Sequence, residues 1–94
     1  MPRRFYIVSY DIRDRKRWRR VFALMDRRGE HRQLSVFLVK TDNSGLRSLV
    51  NALAEIIDPT EDSVIIAAVG RSTDSQMIEL GAKGPMPGAE VLII

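Results

Sequence analysis

The chain predicts an α+β sandwich of ferredoxin-like order, β-α-β-β-α-β, from three observations. Segments 4–12 and 63–69 are apolar on both of their alternating faces. Segments running from about Asp14 to Gly29 and from Leu46 to Ile57 carry apolar residues at helical spacing. Between those helices lies an extended stretch, 30–40, of the length of one strand or of a short hairpin. Two helices in this order cover one face of the sheet, so a second subunit on the other face is the simplest account of strands apolar on both sides. A homodimer is therefore expected, with one domain spanning 1–94: a core fold over about 1–70, and a C-terminal segment over about 71–94 that reaches to the partner's sheet.

Each element has its own local reason. In the first strand, Phe5, Ile7 and Ser9 alternate with Tyr6, Val8, Tyr10 and Ile12, a β-branched and aromatic composition. In the first helix, Trp18, Val21, Phe22 and Met25 fall at i, i+3, i+4 and i+7, and Gly29 stands where a helix C-terminal glycine belongs. The stretch Glu30–Lys40 reads either as one strand or as two with a reversal near Gln33, Leu34 and Ser35; no Asn-Gly or Asp-Gly marks a turn there. The "TDNSG" stretch has a helix-start composition and leads into Leu46, Leu49, Val50, Leu53 and Ile57. The "DPTED" loop then stops the helix. Beyond Gly70 come a short strand near Gln76–Leu80, a turn in "GAKGPMPG", and an apolar run, "AEVLII", that pairing with a neighbouring sheet edge would hide.

Composition excludes several chemistries. Without cysteine there is no disulfide, thiolate zinc site or thiol nucleophile, and the single His31 cannot form a histidine cluster within one subunit. The apolar run near the N-terminus is too short and too polar for a signal peptide or a membrane span, so a cytoplasmic protein with no membrane partner is expected. Charge is polarised along the chain. Residues 1–40 carry 12 Lys and Arg against four acids, whereas residues 41–94 carry 3 against 8. Such asymmetry suggests a basic surface facing a polyanion; two solvated faces of different sign are the alternative.

The candidate site lies where the first strand ends. Asp11 is a carboxylate at a strand terminus, followed by Arg13, Arg15, Lys16, Arg17, Arg19 and Arg20. Mg²⁺ often takes only one or two protein carboxylates, so two copies of Asp11 meeting near a dimer axis would supply a pair, while the basic side chains would grip phosphates. The competing reading makes Asp11 a partner of Arg13 or Arg15, or a helix cap. Trp18 and Phe22, on the apolar stripe, read as core residues and not as stacking platforms. Ser35 has no neighbour that would make it a nucleophile and is taken as a hydrogen-bonding group. His31 is taken as a surface residue.

The "YIVSYDI" strand, the basic helix ending in glycine, "RQLSVF", and the helix ending in "IDPTEDSV" together resemble the CRISPR-associated endoribonuclease family, the second in the Cas protein series. The tail "MIELGAKGPMPGAEVLII" looks like that of members from type I-C systems. The resemblance covers nearly the whole chain. It implies ferredoxin-like subunits that dimerise, C-terminal strands crossing to the partner, and a metal-binding aspartate at Asp11 that meets its symmetry mate around Mg²⁺. It also implies either Mg²⁺-dependent cleavage of single-stranded RNA or DNA, or a non-catalytic scaffold that holds duplex DNA between two dimers of the CRISPR integrase during spacer acquisition. By position, Tyr10, Arg17, Arg20, Ser35 and Phe37 match or adjoin family residues near the site. Two departures are visible: Leu38 stands where many members have an acid, and Trp18 where others often carry Arg. A metabolite-binding regulatory domain on the same fold is a third reading, which the polarised charge disfavours.

Overall fold

A computed structural model describes residues 3–71, 78–81 and 92–93. Six strands and two helices follow in the order β1 (Arg4–Asp11), α1 (Arg15–Arg28), β2 (Glu30–Gln33), β3 (Val36–Thr41), α2 (Asn43–Ile56), β4 (Ser63–Gly70), β5 (Ile78–Glu79) and β6 (Leu92–Ile93). The first four strands form one sheet in the spatial order β2-β3-β1-β4, the predicted ferredoxin-like arrangement. β1 lies at its centre, antiparallel to both β3 and β4. The 30–40 stretch is a hairpin, turning at Leu34 and Ser35, and its register shifts between His31 and Gln33. β5 and β6 pair in parallel as a separate two-stranded sheet. The predicted crossing of the tail to a partner, the "GAKGPMPG" turn and the type I-C likeness fall mostly outside the described residues.

Both helices pack on one face of the sheet. Val8 and Tyr10 of β1 and Phe37 and Val39 of β3 form one core with Val21, Leu24 and Met25 of α1 and Leu49 and Leu53 of α2. Asp14 caps α1, its carboxylate accepting the Arg17 N–H at 2.9 Å, and Asp42 caps α2 by accepting the Gly45 N–H at 2.8 Å. Each cap satisfies a backbone donor that the first helical turn leaves unpaired. At the other end of α1, Gly29 has an extended backbone (φ −152°), so left-handed geometry is not why glycine stands there. A Cβ at this position would lie 2.7 Å from the Leu38 carbonyl oxygen and 2.8 Å from a Val39 methyl, so close approach to β3 is what requires glycine.

The opposite sheet face is also apolar. Cross-strand register sets Ile7 between Leu38 and Ala67, and Ser9 between Val36 and Ile65. Ile65 is 65% exposed, whereas Leu38, the departure noted above, is buried. Asp11 continues this same alternation and stands opposite Ser63 at the sheet's end. No helix among the described residues is long and apolar enough to cross a membrane.

Candidate functional site

Asp11 ends β1 on the face the helices leave uncovered. Its carboxylate is 71% exposed, and among the described residues its ion-pair partner is the Arg13 guanidinium at 3.9 Å, itself exposed. An exposed pair at that separation contributes little to stability. Asp11 does not cap α1, because Asp14 does. Among the described residues no cluster of three or more His, Cys, Asp or Glu side chains converges to hold a metal. Among the described residues, then, Asp11 is a lone strand-end carboxylate offering hard oxygen donors. It matches the chemistry Mg²⁺ prefers but completes only half of a two-carboxylate site.

The six predicted basic side chains separate into groups. Arg13, Arg15 and Arg19 line one cleft of about 320 Å³ together with Ile12, Asp14 and Trp18. The Arg15 and Arg19 side chains form no hydrogen bond or ion pair with the described residues, which leaves their guanidinium groups open to an outside anion as far as those residues go. Lys16 is exposed on the same helix. Arg20 lies elsewhere, in the groove between the helices that Arg27 and Glu55 also line.

Arg17 departs furthest from the expectation of a free cationic clamp. Its Nε donates to Asp62 Oδ2 at 2.7 Å and its NH2 group to Glu61 Oε1 at 3.1 Å. The Asp62 side chain is fully shielded from solvent and also accepts the backbone N–H groups of Arg13 and Asp58, each at 2.9 Å. The hydrogen bond from Arg17, reinforced by those amides, holds the Asp62 carboxyl well below the usual carboxylate range. Arg17 is raised in turn, first by the bond to Asp62. Asp62 thus ties the α2–β4 loop to the turn that carries Asp11 and Arg13. The sequence reading missed it, since it lies within a stretch recognisable only as a helix-stopping loop.

Three supporting residues lie behind this edge. The Tyr10 ring points into the helix-side core, 6.3 Å from Phe37 between centroids, and burial pushes its hydroxyl up to about 12. That hydroxyl is buried with no hydrogen-bond partner. Phe37 is fully buried and packs against His31 (4.7 Å, stacked) and Phe22 (5.6 Å, edge-on). His31 is therefore not the surface residue expected, but half-buried in an aromatic cluster. Ser35 acts through its backbone: its carbonyl accepts the Tyr10 N–H at 3.1 Å and ties the hairpin turn to β1.

The fold and this edge define a class: a small ferredoxin-like domain with an exposed strand-end carboxylate beside a cationic cleft. Residues 4–77 match the family described as CRISPR associated protein Cas2. Over 65 residues, 69% of this chain and 68% of the relative, it is 45% identical to the CRISPR-associated endoribonuclease Cas2 of Geobacter sulfurreducens. It is 39% identical over 69 residues to a Rhodospirillum rubrum protein of that name, covering 73% of this chain and 68% of the other. Among solved structures, it is similar to a hypothetical protein from Thermus thermophilus, with a TM-score of 0.77 and 31% identity over 89% of this chain and 96% of that one. Streptococcus pyogenes Cas2 aligns with a TM-score of 0.63 and 29% identity, covering 67% and 82% of the two chains. The chain belongs to the Cas2 family of CRISPR-associated proteins.

Proposed function

We propose that this protein is a dimeric, cytoplasmic nuclease of CRISPR spacer acquisition, acting on phosphodiester bonds of RNA or DNA. The observation that carries the reading is the placement of Asp11: an exposed carboxylate on the apolar sheet face opposite the helices, adjoining a cleft with three arginines. A second copy packed on that face would bury Ile65, Ala67 and Val36 and bring two Asp11 carboxylates together. The C-terminal segment, beyond about residue 71, is the part proposed to cross to the partner. The paired Asp11 oxygens would hold one Mg²⁺, which supplies Lewis acidity toward a phosphodiester. Arg13, Arg15, Lys16 and Arg19 bind and orient the phosphate backbone, and Arg20 extends that charge toward the groove between the helices. Arg17, engaged by Asp62, positions the turn. Tyr10, Phe37 and the Ser35 carbonyl fix the end of β1 from behind.

A second reading is favoured by one specific observation: among the described residues no cluster of three or more His, Cys, Asp or Glu side chains gathers with Asp11 to share acid–base work. On that reading the same basic surface holds duplex DNA as a scaffold between dimers of the CRISPR integrase, without chemistry. Cleavage of single-stranded RNA and duplex DNA by the wild-type protein and Asp11→Asn, with Mg²⁺ and with a chelator, separates the two. The nuclease reading expects at least about a hundredfold loss in Asp11→Asn with the dimer intact. Equal or absent cleavage in both proteins leaves the scaffold.

A further inference from the structure

We infer that the cleft at the start of α1 is a subsite for one unpaired nucleotide, with Trp18 as the surface on which its base stacks. On α1, Val21, Leu24 and Met25 are buried, whereas Trp18 is only half-buried and lines the cleft beside Ile12, Arg13, Arg15 and Arg19. The indole is not a loose surface ring. It stacks on Phe22 at 5.3 Å with 13° between planes, and Phe22 packs edge-on against the buried Phe37. One indole face is thus backed by the core, which holds the ring in place and lowers the cost of ordering it around a ligand.

The cleft pairs the two chemistries a nucleotide needs. Trp18 and Ile12 offer an apolar surface for a base, and the Arg15 and Arg19 guanidinium groups, which no acid among the described residues engages, offer charge for its phosphate. Asp14 adds an acceptor: Oδ2 caps the helix, and the other carboxylate oxygen makes no bond to a described residue. It can take an N–H from a base edge or a sugar hydroxyl. The volume, about 320 Å³, is at the small end of the range for ligand sites, a size that suits one nucleotide. Two other grooves among the described residues lack this combination. One sets Arg20 and Arg27 beside Glu55, and the other is lined wholly by apolar side chains.

The inference rests on the proposed nucleic-acid function and adds to it a preference for a strand end or a frayed junction over a continuous duplex. The chain contains one tryptophan, so its fluorescence reports this site alone. The test titrates the full chain with a blunt DNA duplex, the same duplex with a short single-stranded overhang, and one whose overhang is abasic. The overhang is expected to quench Trp18 emission and to bind roughly tenfold more tightly than the blunt duplex, and the abasic overhang to do neither. Trp18→Leu should lose that gain and keep the affinity for blunt duplex. Trp18→Phe, which retains a ring against Phe22, guards against misfolding and should keep part of the gain. Equal affinity for all three duplexes with unchanged emission would overturn the subsite while leaving nucleic-acid binding in place. An abasic overhang as effective as the normal one would also overturn it, since charge alone would then account for the gain. Failure to bind any of the three would overturn the proposed function together with the subsite.

Discussion

Asp11 and Asp62 flank the same turn between β1 and α1, and their surroundings are opposite. Asp62 is fully shielded and accepts from a guanidinium and two backbone amides, so its acceptor capacity is taken up within the fold. Asp11 is mostly exposed, with one distant and equally exposed arginine. The same division separates Arg17, held by two acids, from Arg15 and Arg19, held by none among the described residues. Side chains of one chemical type therefore divide according to whether the protein itself satisfies them. The satisfied set builds the turn, and the unsatisfied set is the one proposed to meet a cation or a phosphate.

The sharpest challenge to this division is to remove each aspartate in turn. Asp62→Ala strands the Arg17 guanidinium and the Arg13 and Asp58 amides, and should lower the thermal midpoint by roughly 10 °C or more. Asp11→Ala should leave the midpoint nearly unchanged; a similar fall in both would erase the distinction. Next in size is charge reversal on the open side. Arg15→Glu with Arg19→Glu should weaken duplex DNA binding by tenfold or more at physiological salt and reduce the slope of log affinity against log salt by about two, with thermal unfolding unaltered. Unchanged affinity would place the binding face elsewhere.

Acid provides a third, smaller contrast. Asp62 has a folded pKa depressed below its unfolded value, so its contribution is fully present above about pH 4 and is lost as pH falls below that. Urea unfolding followed down a pH series should show the wild type losing stability more steeply below pH 4 than Asp62→Asn does. The smallest effect is expected of Glu61→Gln, which removes a half-exposed partner of Arg17 and should shift the midpoint by a few degrees at most.

Much of the fold was legible because local periodicity reports which side of an element is covered. The doubly apolar β1 and β4 and the stripes of α1 and α2 all appear where the sequence places them. The hairpin was left open because the Leu34–Ser35 turn lacks glycine and asparagine, and its anchor, the Tyr10–Ser35 backbone bond, joins residues distant in the chain. Gly29 was placed correctly for the wrong physical reason, since its need comes from β3 and not from its own φ. The basic cluster was legible as composition but not as geometry. Helical spacing could not show that Arg17 would meet Asp62, or that Arg20 would face α2. The sequence places His31 at the surface, yet it is packed among rings, whereas Trp18 does join the edge of the core as its stripe position suggests while also lining the cleft beside arginines.

The latch at Asp62 joins residues 45 and 49 positions apart. It can close only after α1 is formed and the chain has returned through α2 to the start of β4, when most of the loop-closure cost has been met. We expect a contact that closes so late to form after the rate-limiting step, so that it acts on escape from the native state and not on arrival. Loss of the latch should therefore leave the refolding limb of a chevron in place and raise the unfolding limb. The persistence time of the turn that presents Asp11 would be set by an aspartate that never touches a ligand.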